Sequence, residues 1–207
     1  LTTDFPVDNR PVFYMPQMKM NASWVKPEFN ASREQMKQFV LQILDTHADE
    51  SGIIHTASFK LASWYVDFLS RSNIPHHVMH HNPDSDMSRE EVINAYQERA
   101  EQNKPSLLIS PSITEGLDLY EDRARFAIFA KTPFANLGDQ WVKRRMELSK
   151  QWYHRQAIIQ VIQGCGRIVR SNTDNGNVYM LDGSWGYLFN NVSHTIPQWW
   201  KDAYTAH

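Results

Sequence analysis

The chain has 207 residues, 42% of them hydrophobic, which is enough to form the core of one domain. A net charge of −2, with 21% charged residues, excludes a protein that binds nucleic acid through overall positive charge, so any such site must be local. The single cysteine, Cys165, excludes an intrachain disulfide and a cysteine-ligated metal or iron–sulfur cluster within this chain.

No run of about 18 apolar residues is present, so no membrane span is predicted. The first residues also lack the pattern of a signal peptide. Together with the single cysteine, these features predict an intracellular, cytoplasmic protein in a reducing environment.

Short apolar strands alternate with amphipathic helices, which predicts an α/β fold with a mainly parallel central sheet. We expect one domain over residues 1–207, with an opening strand and loop in 1–30 and a closing segment in 185–207. The strands are predicted at residues 12–15, 53–56, 75–81, 107–109, 125–130 and 178–181. The helices are predicted at residues 33–47, 60–70, from 88 onwards, 140–152, 160–170 and 196–203.

Polar loops follow several of these strands. In open α/β sheets, ligands bind beyond the carboxyl ends of the strands. The loops after Ile54, Ile109 and Ala130 lie at such ends, so we expect the functional site among them.

The stretch 160–170 carries the most distinctive pattern in the chain. Read as a helix at about 100° per residue, it places four polar side chains within about 80° of one another. These are two amides and two guanidiniums: Gln160, Gln163, Arg167 and Arg170. The opposite side is apolar and predicted to face a core: Val161, Ile162, Cys165, Ile168 and Val169.

A row of donors without Lys or Glu indicates an anionic ligand, because the arginine fork binds phosphate bidentately. Gly164 and Gly166 each cost a helix about 1 kcal/mol relative to Ala, which favours close approach of another backbone or a ligand. From spacing alone, an amphipathic core helix with an incidental polar face is an equally good interpretation.

The same stretch resembles motif VI of the DinG/XPD branch of superfamily 2 helicases. The family pattern is Q-x-x-G-R-x-x-R, followed by a polar stretch with Asp and Gly and then a strand that ends in Asp, here Asp182. The resemblance implies a RecA-like (P-loop NTPase-type) three-layer fold. It also implies that Gln163, Arg167 and Arg170 act in ATP hydrolysis and that Gly166 lies at the nucleotide.

The loop after residues 107–109 resembles motif V of that family. The sequence T-E-G-L-D-L, which begins at Thr114, stands where S-E-G-I-D-F is typical. The resemblance implies that Asp118 lies near the ribose, Gly116 forms a tight turn and Glu115 orients the arginines. Ser112 and Thr114 would contact nucleic acid, although the family often has Lys where Ser112 stands. Without the resemblance, a solvated turn is the simpler interpretation.

The segment that follows residues 53–54 resembles motif IV. It combines a strand, a hydroxyl-rich turn and a helix N-terminus, so Thr56, Ser58 and Lys60 are candidate contacts for a nucleic-acid phosphate. Simple capping of the helix by Ser58 is the alternative, and it is compatible with phosphate contact.

A basic helix follows the segment T-P-F-A-N-L, which resembles the P-[YF] segment of the family. Lys143, Arg144 and Arg145 lie on this helix, and they either line a channel for the nucleic-acid strand or form a solvated basic turn.

Four histidines, His76, His77, His80 and His81, invite comparison with a metal site. Strand alternation places adjacent histidines on opposite faces, and no further ligand stands at a supporting spacing. No metal site is predicted, and Cys165 is expected to pack in the core.

Two motifs of a complete helicase are missing from the sequence, the G-x-x-x-x-G-K-[ST] loop and the D-E-A-H-type Mg²⁺ motif. In the family resembled here, both belong to the first RecA-like domain. The chain is therefore expected to be the C-terminal (second) RecA-like domain of a DinG/XPD-type DNA helicase. ATP and Mg²⁺ would be bound mainly by the N-terminal RecA-like domain of the same protein, single-stranded DNA would be a partner, and this chain alone would be inactive.

Two alternatives stay open. One is a related nucleic-acid-dependent ATPase that remodels complexes or acts on RNA. The other is a helicase-like module kept for protein binding, which has no physical need for Gln163, Arg167, Arg170 and Asp118 together.

Overall fold

The computed structural model describes residues 5–81, 87–112, 119 and 121–206. Within these residues, seven strands form one sheet: β1 (Val12–Met18), β2 (Gly52–His55), β3 (His77–His80), β4 (Ser106–Ser110), β5 (Phe126–Phe129), β6 (Asn177–Asp182) and β7 (Tyr204–Ala206). The strand order is β3-β4-β2-β5-β6-β1-β7, and every pairing is parallel.

Seven α-helices accompany the sheet in the described part of the chain: α1 (Asn30–Thr46), α2 (Phe59–Leu69), α3 (Arg89–Glu101), α4 (Gln140–Leu148), α5 (Lys150–Cys165), α6 (Ser184–Val192) and α7 (Gln198–Asp202). Short 3₁₀ turns occupy Val7–Asn9, Pro27–Phe29, Glu121–Arg123 and Ser193–Thr195.

The sheet is buried on both faces, as parallel sheets generally are. On one face, Ile53 and Leu108 pack with the apolar sides of α3, α5, α6 and α7. On the other, Ile54 and Ile109 pack with α1 and α2. Because consecutive strand residues point to opposite faces, the centres of β2 and β4 read as unbroken apolar runs. The predicted three-layer α/β architecture is therefore confirmed.

The starts of two helices were predicted with different accuracy. Ser88 and Glu91 form a capping box at the start of α3, which was predicted to begin at residue 88. The first helix was predicted to begin at residue 33, but α1 already begins at Asn30, directly after a 3₁₀ turn that carries the chain into the helix.

Two further boundaries differ from the prediction, and two elements were not predicted. β1 continues through Pro16 to Met18, because the regular pairing with β6 shifts between Tyr14 and Met18 and β7 reaches only Tyr14. Proline is tolerated where no ladder hydrogen bond is needed. A break at Ser149 separates α4 from α5. The sequence patterns had not indicated α6 or β7.

Candidate functional site

The predicted polar face of residues 160–170 is not one helical face. α5 ends at Cys165, and a turn over residues 166–168 follows. Gly166 ends the helix, with its N–H donating to the carbonyl of Ile162 (3.0 Å). Arg167 and Arg170 therefore do not continue the helical row begun by Gln163, and the prediction of a continuous helix is wrong. The prediction that residues 168 and 169 belong to the apolar side is confirmed, because both are buried in the core.

Arg167 lies in this turn, and its charge acts on His55, the last residue of β2. His55 is only 1% exposed, and its ring packs 4.7 Å from that of Phe129. Burial, and secondly the positive charge of Arg167, lower the pKa of His55 to about 3. The charge of the turn after α5 thus acts on the last residue of β2, directly before the motif IV-like segment.

His55 should make folding sensitive to acid. In the unfolded chain it titrates near its ordinary pKa of about 6.5, so between there and about pH 3 only the unfolded state binds the proton. Stability should fall as pH falls through this window, by up to about 1.4 kcal/mol per pH unit from this one group. The free energy of unfolding, measured with urea at several pH values, should depend less steeply on pH for His55→Gln than for wild type. The exposed His77→Gln is the control, and equal slopes for wild type and His55→Gln would contradict the assignment.

Arg170 is exposed, but its backbone is fixed by a buried carboxylate. Asp174 accepts the N–H of Arg170 (3.0 Å) and that of Glu121 (3.3 Å), and it pairs with the guanidinium of Arg125 (2.9 Å). This carboxylate joins two segments that are about fifty residues apart in sequence, 121–125 and 170–175. Asp174 was noted in the sequence only as part of the polar stretch after motif VI, and its buried position is the functional signal that was missed.

Gly176 closes the same loop. A Cβ at this position would collide with the side chain of Ile168 and lie 3.1 Å from the carbonyl oxygen of Arg125. Its N–H donates to the carbonyl of Asn9 (2.9 Å). The glycine is thus required by close packing of the loop against the core.

Gln163 and Gly166 are both exposed at the end of α5. Gly166 has an ordinary φ of −70°, and a Cβ there would lie 3.4 Å from the carbonyl oxygen of Ile162. No strain therefore demands glycine at this position, and the exposed surface is open to a ligand.

A pocket of about 190 Å³ lies beside the end of α5, at the amino ends of β1 and β6. Arg10, Arg170 and Trp199 contribute to its wall, and the guanidinium of Arg10 donates to the carbonyl of Trp199 (2.6 Å). Cys165 also lines it and packs against the core, as predicted. Burial raises the pKa of this thiol to about 12, so it stays protonated.

Of the side chains predicted to bind in the motif IV-like turn, some are accessible and one is buried. Thr56 is buried, and its hydroxyl lies within hydrogen-bonding distance of the carbonyls of Ser58 (3.2 Å) and Ser110 (3.3 Å). Ser58 caps α2 by accepting the N–H of Leu61 (3.4 Å), and Lys60 is exposed. Thr56 therefore shapes the turn, whereas Ser58, Lys60 and the helix N-terminus face outward.

Ala57, between these residues, has a φ of 51°, in the left-handed region. For a residue with a Cβ this conformation costs about 1–2 kcal/mol. Such strain is typical of functional turns, where the surrounding structure holds it in place.

The carboxyl ends of β2, β4 and β5 surround an open pocket of about 220 Å³. Ala57, Ser112, Phe134 and Gln160 are among the lining residues, so the motif IV-like turn, the start of the motif V-like loop and α5 meet there. Ser112 is half-buried, and its carbonyl accepts the hydroxyl of Ser110 (2.7 Å). Four other predicted site residues lie outside the described residues: Thr114, Glu115, Gly116 and Asp118.

Asp182, at the end of β6, fixes the loop that borders this pocket. It is buried and accepts the backbone N–H groups of Met20 (3.0 Å), Thr132 (2.8 Å) and Ser184 (2.8 Å). The hydroxyl of Tyr153 holds the same loop by donating to the carbonyl of Ala135 (3.0 Å). The sequence had indicated Asp182 only as the end of a strand.

The histidines do not gather into one site. His76 is buried, with Nε2 3.0 Å from the carbonyl oxygen of His47, whereas His77 is exposed. Among residues 5–81, 87–112, 119 and 121–206, no group of three His, Cys, Asp or Glu side chains is placed to hold a metal ion. None of the helices described is both long and apolar enough to cross a bilayer.

Residues 40–203 match the model of the helicase C-terminal domain family. The probable ATP-dependent helicase YpvA of Bacillus subtilis (strain 168) is 22% identical over 187 residues, which cover 88% of this chain and 27% of the relative. The chain thus spans about a quarter of the length of that relative.

Solved structures with the same architecture include S. tokodaii Xpd4, with a TM-score of 0.60 and 17% identity over 96% of this chain and 38% of that one. An apo XPD structure has a TM-score of 0.64 and 15% identity over 96% and 40% of the two chains. The C-terminal domain of the DEAD-box protein Dbp5 has a TM-score of 0.56 and 14% identity over 97% and 91%. These matches confirm the predicted RecA-like fold and, with the family match, the resemblance to the DinG/XPD branch.

Proposed function

The chain belongs to the helicase C-terminal domain family, and from that premise we propose that it is the second RecA-like domain of an ATP-dependent DNA helicase of the DinG/XPD type. The observation that carries the proposal is that the positive charge of Arg167, in the motif VI-like turn, acts on the buried His55, directly before the motif IV-like turn. A domain that couples ATP hydrolysis to strand movement needs its nucleotide-sensing and strand-binding segments to influence each other.

The arginines would act on a nucleotide held by another domain. Arg167 and Arg170 would reach across the cleft to the N-terminal RecA-like domain of the same protein and stabilise charge on the γ-phosphoryl group. Gln163, exposed at the end of α5, would orient the phosphate or the attacking water.

Asp174 supports this role by fixing the backbone of Arg170, so that less order is lost when the side chain binds. Glu115, Gly116, Asp118 and Gly166 would complete the contacts to the nucleotide. The exposed donors on this chain suit phosphate, and Mg²⁺ would be held mainly by the other domain.

Single-stranded DNA would bind across the carboxyl edge of the sheet. The first N–H groups of a helix have no partner within the helix and favour an anion, so the N-terminus of α2, with Ser58 and Lys60, would hold a phosphate. Ser112 and Thr114 would contact the backbone farther along, while Thr56 keeps the turn in shape. Contacts of this kind go to the backbone and imply little sequence specificity.

ATP hydrolysis, measured with and without single-stranded DNA on this chain and on the full-length protein, tests the proposal. We expect no ATP hydrolysis by this chain alone, and ATP hydrolysis by the full-length enzyme that single-stranded DNA stimulates. Hydrolysis by the chain alone would contradict its dependence on a separate phosphate-binding domain. A full-length protein that does not hydrolyse ATP would favour a binding module. Stronger stimulation of ATP hydrolysis by RNA than by DNA would favour an RNA remodeller.

Ser58→Asp should separate capping from phosphate binding. Aspartate caps a helix about as well as serine, so thermal stability should change little. The new negative charge would repel a phosphate at the N-terminus of α2, and affinity for single-stranded DNA should fall about tenfold, which corresponds to about 1.4 kcal/mol. The measurement is a fluorescence anisotropy titration with a labelled oligothymidylate.

Ser88→Asp makes the same change at the matched N-cap of α3, and it should leave the affinity for the oligothymidylate unaltered. Equal loss of affinity in the two variants would mean that the effect is general electrostatics, and α2 would then not be the phosphate site.

A further inference from the structure

Helix α4 stands out because none of its residues is buried. Trp141 is 80% exposed and Leu148 is 73% exposed, although both side chains are large and apolar. At about 100° per residue, the spacing i, i+3, i+4, i+7 places Arg144 and Arg145 between them on one face. Val142 and Met146 are half-buried and lie on the other side of the helix. An alternation of apolar and cationic side chains therefore points away from the domain.

The same region is a local positive patch. Residues 139–155 carry five basic and two acidic side chains, a net charge of +3 in a chain whose net charge is −2. Asp139 accepts the N–H of Trp141 (2.8 Å) as the cap of α4, and Glu147 pairs with Arg144 (3.3 Å). Both acids are thus occupied locally, and the surface attracts a polyanion.

A single loop connects the patch to the open pocket at the carboxyl ends of β2, β4 and β5. The loop that carries Phe134 and Ala135 lines that pocket and leads directly to the cap of α4. The loop is fixed by the hydrogen bond from Tyr153 to Ala135, so α4 has a defined position relative to the pocket. The guanidinium of Arg145 lies 5.3 Å from the ring of Trp152, which orders the base of the patch.

We propose that the outer face of α4 is a second contact surface for single-stranded nucleic acid, on which Trp141 stacks against a base and Arg144 and Arg145 bind phosphates. An exposed aromatic ring flanked by guanidiniums suits a strand, because every base has a π-face and every linkage carries a charge. A docked protein helix would instead need an apolar stripe, and here two guanidiniums occupy its centre. The inference rests on the proposed function, since it extends the path of the same strand.

The test is the affinity of this chain for a labelled oligothymidylate, measured by fluorescence anisotropy. Trp141→Ala should weaken binding about 5- to 150-fold, the range for loss of one stacked base, whereas Trp141→Phe should retain most of the affinity. Tyr187→Ala removes another exposed aromatic ring, on α6, and should have no effect. Because α4 buries no side chain and Tyr187 is itself 58% exposed, circular dichroism should show all three variants folded.

The contribution of the two arginines can be measured separately, from the salt dependence of the affinity. Arg144→Gln with Arg145→Gln should reduce the dependence of log affinity on log salt by about 1.4, which is 0.7 for each phosphate contact. Arg71→Gln, an exposed arginine beyond the end of α2, is the matched control and should leave the slope unchanged.

The outcomes distinguish this inference from the proposed function. If Ser58→Asp weakens binding but Trp141→Ala does not, the surface on α4 is overturned and the helicase proposal stands. If wild type binds no oligonucleotide, both fall. A change in oligomeric mass on Trp141→Ala, with affinity unaltered, would overturn the inference in favour of self-association.

Discussion

Replacing Arg167 with alanine in the protein that carries both RecA-like domains is expected to lower ATP turnover about 10³- to 10⁵-fold. A guanidinium that neutralises charge on the transferring phosphoryl group acts mainly in the transition state, so nucleotide affinity should change little. Arg167→Lys should recover only a small part of the rate, because an ammonium lacks the planar fork. Steady-state hydrolysis and binding of a fluorescent nucleotide, measured on the same preparations, check both halves of the expectation.

Arg71→Ala provides the control for loss of a positive charge elsewhere on the domain, and its turnover should equal that of wild type. Because Arg167 is half-buried, circular dichroism must show that the variant is folded. Normal turnover by folded Arg167→Ala would remove the arginine-finger assignment. A parallel loss of turnover and nucleotide affinity would assign Arg167 to ground-state binding.

Asp174→Ala is expected to lower the free energy of unfolding by about 3–5 kcal/mol, because it leaves Arg125 and several backbone N–H groups without their buried carboxylate. For a domain of this size, the midpoint of thermal unfolding should fall by roughly 6–20 °C. Urea and thermal unfolding measure the change directly. Turnover in the full-length protein should fall as well, since the backbone of Arg170 loses its anchor.

Asp122→Ala is the matched control. Its carboxylate also pairs with Arg125 (2.8 Å), but the side chain is 65% exposed, whereas that of Asp174 is fully buried. An exposed pair is worth at most about 1 kcal/mol, so the control should be nearly as stable as wild type. Similar losses in the two variants would show that Asp174 is not the anchor of the loop.

Much of the fold could be predicted because local pattern and tertiary structure agree. The apolar runs that became β2, β4 and β5 are strands buried on both faces, and their order of alternation with helices leaves little choice but a parallel sheet. Ser58 and Ser88 mark the starts of their helices through short-range hydrogen bonds, which spacing alone reveals.

The errors have physical causes that spacing does not contain. The periodicity of residues 160–170 suits a helix throughout, but the chain turns at Gly166 and the core takes up residues 168 and 169. Asp174 binds Glu121 and Arg125, some fifty residues away. Such long-range pairing produces no periodic pattern in the sequence, so it could not be predicted. Thr56 was assigned a contact from its hydroxyl, whereas burial directs that hydroxyl inward.

The position of β1 in the sheet has a consequence for synthesis. β1 is made before the other described strands, yet it lies between β6 and β7, the last two of them in the chain. At about 5–20 residues per second, β1 waits roughly 10–40 s before its neighbours exist. Until then Val12 and Phe13 have no partner strand, and a nascent chain with such an exposed segment is a substrate for chaperones and a risk for misassembly. Because pairing across the whole length of the chain is slow, completion of the sheet is expected to be the final event of folding.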